Sequence, residues 1–482
     1  MPDTSYPETI GLFVNGQWIG ANARESSPLV DPGSGAELGR VPHATAADLD
    51  AAVAASVAGF RAWKAKTALE RATIMMRAAD LMAERVDSIA RTLTLENGKP
   101  FTEAKGETLF SVDATRWYAE EGKRAYGRIV PGRVVGQRQM VLKEPVGPVA
   151  AFAAWNFPAS NAIRKIAGAL GAGCSIILKA AEETPGTAVA FARCFQEAGV
   201  PDGALNLVFG VPDDISAHLL AAPEIKKISL TGSTRVGKLL QARAAETLKR
   251  STMELGGHAP VIVFADADVD HAVATLTAAK FRNAGQVCTS PTRFFIHESI
   301  YEAFAAKMGA AAGALNVGHG LDAQTKMGPM IAPRRLKAMA DLVEDATQKG
   351  ARLLTGGHGL DRPGNYFAPT VLADIPEDAR IMSEEPFGPI ASLTPFAEFD
   401  EVMTRANALP YGLASFVFTR DGGLAQRAEL ALEAGLVGVN HTGISTPETP
   451  FGGVNESGFG SESGMEGLEA YQRVKFVSEV FP

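Results

Sequence analysis

After Gly147 the chain settles into a regular alternation of short apolar runs and longer helical stretches. Apolar runs at 148–154, 174–179, 205–209 and 225–230 are separated by helical patterns at 158–170, 185–198 and 212–221, and a further helix opens near Ser233. Strands that are apolar almost throughout, each followed by a helix, belong to a parallel sheet covered on both faces. A second alternation starts at 260–264 and continues through Phe294-Phe295-Ile296 to Phe416-Val417-Phe418. The pattern predicts an α/β chain with two doubly wound parallel-sheet units joined near residues 254–260. Its 482 residues leave room for about three units of roughly 150 residues, each with its own core.

Ahead of that alternation, residues 13–19 read as a polar strand pair turned at Asn15-Gly16. Thr45 and Asp48 form a capping-box pattern before a helix over 49–63. A long helical pattern covers 70–95 and stops at Asn97-Gly98, with Pro100 beyond; a third helix runs over about 102–119. From 128 to 143 the period drops to two, which predicts extended strands that leave the main body and pair elsewhere. Residues 1–10 have neither a basic nor an apolar leader segment, so no secretory signal is expected. The longest uncharged stretch, 145–163, carries three prolines and is no membrane span. A net charge of −8, from 46 basic and 54 acidic side chains, offers no footprint for nucleic acid. Three cysteines suit a reducing, cytoplasmic setting.

Two nucleotide signatures fail. Gly232 to Lys238 has P-loop spacing, but Leu239 stands where a hydroxyl must ligate Mg²⁺. No G-x-G-x-x-G follows any predicted strand. Thr231-Gly232-Ser233 still ends a strand and opens a helix, which suits either a pyrophosphate or an ordinary N-cap. Lys179 ends another strand with Glu182 three residues on; the pair either grips ribose hydroxyls or forms a loop ion pair.

Cys288 lies in a polar, Gly-containing loop, whereas Cys174 and Cys194 sit among apolar neighbours as core residues. Glu254, ending an apolar strand before Gly256-Gly257, is either a desolvated general base or the cap of the following turn. Asn156 precedes Phe157-Pro158 and reads as an oxyanion donor or an N-cap. No metal-ligating set is read.

In order and wording, Trp155-Asn156-Phe157-Pro158, Leu178-Lys179, Thr231-Gly232-Ser233, Glu254-Leu255-Gly256-Gly257, Gly285-Gln286-Val287-Cys288, Glu384-Glu385-Pro386-Phe387-Gly388-Pro389 and Pro450-Phe451-Gly452-Gly453 resemble the NAD(P)-dependent aldehyde dehydrogenase superfamily across essentially the whole chain. The resemblance implies Cys288 as nucleophile, Glu254 as base and Asn156 as oxyanion donor. It implies Trp155, Lys179, Glu182, Gly232, Ser233, Glu385 and Phe387 as cofactor contacts. Glu182 would bond the ribose 2′-hydroxyl and repel a 2′-phosphate, so NAD is expected over NADP. Arg164, Arg282 and Ser445 match positions by which succinate-semialdehyde dehydrogenases grip the distal carboxylate. The alternatives are glutarate or 2-oxoglutarate semialdehyde, or broad aliphatic and aromatic aldehydes.

The implied architecture is a cofactor-binding domain over 1–127 and 144–254 and a catalytic domain over 255–440. Oligomerisation strands at 128–143 and 461–482 would make a homodimer or homotetramer, and 441–460 would return near the substrate tunnel. Two departures stand out: Ala180-Ala181 follow the lysine where the family has Pro and a small hydroxyl residue, and Asn455 replaces a lysine common in the family.

Overall fold

The computed structural model describes residues 5–22 and 24–481. Residues 1–4, part of the segment read for a leader, lie outside the described residues, as does Pro482 at the end of the 461–482 segment. An eight-stranded sheet has five parallel strands at its centre, in spatial order Leu205–Val208, Ile176–Lys179, Val149–Phe152, Lys227–Thr231 and Arg250–Glu254. In chain order this is 3-2-1-4-5, the doubly wound order in which the connections run opposite ways from the first strand. The first three of these strands are buried at every residue, because helices cover both faces. Helices Pro158–Ala172, Pro185–Ala198 and Pro212–Ala221 each begin with proline, whose missing N–H costs nothing in the first turn. Pro158–Ala172 is buried along its whole length, held between the sheet and the helix Phe101–Glu121.

The edges of this sheet depart from the sequence reading. The Asn15-Gly16 turn is present with both residues at positive φ (51° and 77°), but the strand Gly11–Val14 is fully buried and not polar. It adds antiparallel to Leu205–Val208 through Phe13 and Leu207, so the hairpin completes the sheet. The helix expected over 70–95 is two, Ala68–Glu84 and Val86–Asn97, broken at Arg85 (φ −103°, ψ 13°). Arg85 is held there by Glu197 at 2.5 Å, and both pieces pack on Pro185–Ala198. The apolar pattern therefore runs through the break undisturbed.

The chain leaves the first sheet at Glu254 and enters a seven-stranded sheet at Ala259–Val263. There Ala259–Val263 lies between Pro291–His297 and Ala414–Phe418; Ile390–Phe396, Thr370–Ala373 and Leu436–Val439 extend the parallel part, and Arg352–Thr355 is antiparallel at one edge. Each large sheet has a separate apolar core.

A third sheet orders Gln472–Val480, Gln137–Pro145 and Arg128–Pro131, all antiparallel. Only part of 461–482 is therefore strand. Gly464–Glu469 is a short helix, whose Gly467 packs close to the Tyr118 hydroxyl. Val474, Phe476 and Val480, on one face of the last strand, are all exposed. Among the described residues no helix is long and apolar enough to cross a membrane.

Candidate active site

The reversal of strand order falls between Val149–Phe152 and Lys227–Thr231. In open α/β sheets the crevice beyond the carboxyl ends of such a strand pair is where ligands bind. A cavity of about 530 Å³ opens there, lined by Trp155, Asn156, Gly232 and Ser233 from the first sheet and by Arg334, Glu385, Phe387 and Cys288 from the second. Ser233 caps the helix Thr234–Ala245, accepting from Val236 N–H at 3.4 Å, and Arg235 in the first turn is exposed toward the same space. A helix N-terminus with Arg235, Arg334 and Arg335 around it is cationic, as a pyrophosphate needs. Gly256 leaves the opening clear: a Cβ there would stand 2.7 Å from the Glu385 carboxylate. Burial pushes the Glu385 carboxyl up to about 8. The Trp155 and Phe387 rings meet edge to face at 5.5 Å. This geometry fits a dinucleotide.

Lys179 and Glu182 form an ion pair with each other and line neither this cavity nor its neighbour. Ala180 and Ala181 are buried just beyond, and Asn455, at φ 56°, pairs with Tyr411; none of the three lines either cavity. Asparagine tolerates that left-handed backbone better than lysine does.

A second cavity, about 300 Å³, shares Cys288 with the first. The thiol thus stands where the two spaces meet. The second cavity holds Arg164, Arg282 and Ser445 together with Phe110, Phe157 and Phe451. Arg164 is 6% exposed; its guanidinium donates to Ser445 Oγ at 2.5 Å and packs over the Phe451 and Phe110 rings at 4.2 and 5.1 Å. Its Nε has no partner among the described residues, and no carboxylate pairs with the side chain. Arg282 is exposed and lies 5.0 Å from the Phe157 ring.

Asn156 does not cap the following helix; the N-cap is Phe157, without a side-chain bond. The Asn156 amide donates to Gln286 O at 3.2 Å and accepts from Asn161 Nδ2 at 3.2 Å, so it is aimed at the cysteine loop. Glu254 caps nothing either. Both its oxygens are buried without a hydrogen-bond partner among the described residues, and one would lie 3.1 Å from a Cβ on Gly452. Burial, reinforced by Glu462, holds its carboxyl well above the ordinary range, against the pull of Lys165 and Arg164. Burial and the Glu385 charge push the Cys288 thiol up to about 12, with Arg164 opposing them. Cys174 and Cys194 are fully buried, and all three cysteines are free.

Several supporting residues were not singled out from the sequence. Lys99, fully buried, donates to the Asn156 carbonyl at 2.9 Å and to Glu107 at 2.6 Å. Asn283 Nδ2 donates to the same carbonyl at 2.8 Å. Glu107 accepts from the N–H groups of Ala159 and Ser160, capping the helix that Asn156 precedes. Behind Glu254, Lys165 bridges Glu462 at 2.5 Å and Thr231 at 2.6 Å. Lys99-Pro100 carried only a helix-stop signal, and Asn283 sat unremarked in the cysteine phrase. Lys165 and Glu462 carried no local signal at all.

Residues 18–477 match the aldehyde dehydrogenase family. The chain is 44% identical over 469 residues to 4-(hydroxymethyl)benzenesulfonate dehydrogenase of Comamonas testosteroni, covering 97% of this chain and 98% of that one. It is 42% identical over 465 residues to the NADP(+) succinate-semialdehyde dehydrogenase of Escherichia coli (strain K12), covering 96% of each. The crystal structure of succinate-semialdehyde dehydrogenase from Burkholderia pseudomallei superposes with a TM-score of 0.97 at 42% identity over 100% of both chains. A thiol between two cavities, one shaped for a dinucleotide, and a match of this extent identify the chain as an oxidoreductase of the aldehyde dehydrogenase family.

Proposed function

We propose that this enzyme oxidises an aldehyde carrying a carboxylate at its far end, succinate semialdehyde or a close analogue such as glutarate semialdehyde, to the carboxylic acid. The observation that carries this reading is Arg164, a buried guanidinium without a carboxylate partner in the cavity that holds Cys288. A buried guanidinium to which no carboxylate is hydrogen-bonded gains from an anion that joins it, and a substrate carboxylate supplies that anion. The Phe110, Phe157 and Phe451 rings suit the apolar stem between the two polar ends. The names of the relatives above agree in class, since each contains an anionic group, a carboxylate or a sulfonate.

The chemistry follows from the residue types. Cys288 Sγ adds to the aldehyde carbon as its proton passes to Glu254 and on to solvent, and the Asn156 amide receives the developing oxyanion, an interaction worth ~3 kcal/mol per donor. A nicotinamide dinucleotide held along Trp155, Gly232, Ser233, Glu385 and Phe387 would supply the hydride acceptor. The acyl group left on sulfur is a thioester. Glu254, made more basic by burial, takes a proton from water, and the hydroxide displaces the thiolate to release the acid. NAD is the cofactor this reading favours: Glu182, outside the cavity rim on the loop after Ile176–Lys179, would repel a 2′-phosphate on a ribose laid along that strand end.

The outer strand Gln472–Val480 presents a nine-residue edge with exposed Val474, Phe476 and Val480, a surface that a second copy of the chain would cover. The domain roles read from the sequence fit this picture: the first sheet holds the dinucleotide, the second the thiol, and the three-stranded sheet joins subunits in a dimer or tetramer. Three free cysteines suit a cytoplasmic setting.

Arg164→Ala should raise KM for succinate semialdehyde at least about tenfold and for hexanal less than about threefold; equal effects on both would remove the carboxylate reading. Steady-state kcat/KM should be higher with NAD⁺ than with NADP⁺, and the reverse order would overturn the role given to Glu182. Because burial pushes it up to about 12, the thiol should react with iodoacetamide in the cofactor-free enzyme at a rate still climbing at pH 10. A plateau below pH 8 would mean that the resting thiol is not desolvated as described. Phe476→Asp should lower the mass seen by size-exclusion light scattering, and an unchanged assembly would show that subunits meet elsewhere.

A further inference from the structure

The cavity that holds Arg164 also holds a carboxylate of its own. Glu103 stands in the first turn of the helix Phe101–Glu121 and lines the same space as Arg164, Arg282 and Cys288. Glu107, one turn further along, lines it too but is fully engaged by Lys99 and by two backbone N–H groups. Glu103 is bound more lightly: one oxygen accepts the Asn283 backbone N–H at 2.9 Å, and Lys99 and Arg282 attract it from farther away. A cavity built to draw in an anion thus carries a second, opposing charge.

We propose that Glu103 sets the charge selectivity of the substrate cavity: ionised, it opposes the carboxylate that Arg164 draws in, and neutral, it leaves the cavity cationic and open to that carboxylate. The inference rests on the anionic-aldehyde reading given above. Burial pushes the Glu103 carboxyl up to about 7, against the pull of Lys99 and Arg282 and the Asn283 N–H, and Glu107 adds to the rise. Glu103 accordingly exchanges its proton across neutrality. The charged and titratable groups facing it are Lys99 from the preceding turn, Glu107 on its own helix, Arg282 from the cysteine loop, Arg164 across the cavity and the Cys288 thiol. The thiol, pushed up to about 12, stays protonated in this range, and Lys99, which burial lowers while Glu107 holds it charged, is bonded to Glu107 whether or not residue 103 carries a charge, so E103Q separates its titration from that of Glu103. Preference for an anionic aldehyde should therefore fall as pH rises through neutrality, while a neutral aldehyde is indifferent to the Glu103 charge.

The test is the ratio of kcat/KM for succinate semialdehyde to that for butanal, measured between pH 6 and 8.5. Thiolate formation and thioester hydrolysis are common to both substrates and cancel in the ratio, which leaves the distal carboxylate. The wild-type ratio should fall about fivefold across this range, the scale expected for one charge acting across a partly solvated cavity. E103Q keeps an acceptor for the Asn283 N–H and should hold the ratio flat at the wild-type pH 6 value. A constant wild-type ratio, or a fall that persists in E103Q, overturns the role of Glu103 while leaving the anionic-aldehyde reading intact. A ratio near one at every pH overturns that reading and this inference with it. If E103Q does not fold, E103D decides: a shifted midpoint supports the assignment, and an unmoved one places the titration on another group.

Discussion

The reversal of strand order in the first sheet is the constraint on which the rest depends. Because the helices after Val149–Phe152 and Lys227–Thr231 cross to different sides, no connection covers the carboxyl ends of these two strands, and a crevice remains. Trp155-Asn156 and Gly232-Ser233 lie at those ends as a matter of chain order. The second sheet then needs only to bring one loop against the opening. It brings the loop ending at Cys288, which Gly285, at φ 71°, lets pack against Gly388 of its own unit, where a Cβ would stand 2.1 Å from Gly388 O.

Electrostatics inside the site follow from desolvation more than from pairing. The carboxyls of Glu254 and Glu385 and the thiol of Cys288 are all pushed toward their neutral forms, with burial the first cause in each. A resting enzyme whose thiol is protonated does not carry a standing thiolate, and the raised Glu254 carboxyl is a stronger base than an ordinary carboxylate whenever it is ionised. Arg164 is the exception in sign. Its positive charge packs against the Phe110 and Phe451 rings and is steadied by Ser445, an arrangement that holds the guanidinium in place and leaves it for an anion to meet.

The oxyanion donor illustrates how far its support reaches. Asn156 is one residue in a quoted motif, yet its peptide carbonyl is held by Lys99 and Asn283, and the helix that follows is capped by Glu107. Those residues come from two separate places in the chain, Lys99 and Glu107 about the start of one helix and Asn283 in the cysteine loop. A buried lysine bonded to a backbone carbonyl and a carboxylate is a high-stakes arrangement, because loss of either partner strands a charge in a dry interior.

Local chemistry was legible in the sequence wherever neighbours along the chain decide the outcome. The alternation of apolar runs and helical patterns gave the parallel sheets, proline marked three helix starts within a residue, and the Asn15-Gly16 turn and Thr45–Asp48 capping box formed as read. Motif order carried the family. What stayed out of reach was whatever depends on partners distant in sequence. The strand Gly11–Val14 is buried where it adds to Leu205–Val208, and the break at Arg85 is accompanied by an ion pair to Glu197, more than a hundred residues away. The open choices at Asn156 and Glu254 were likewise closed by space: neither caps a turn, since one side chain faces the cysteine loop and the other lies buried against Gly452. Periodicity records which face of a segment is apolar, while burial, charge and hydrogen-bond partners are set by what the folded chain brings to that face from elsewhere.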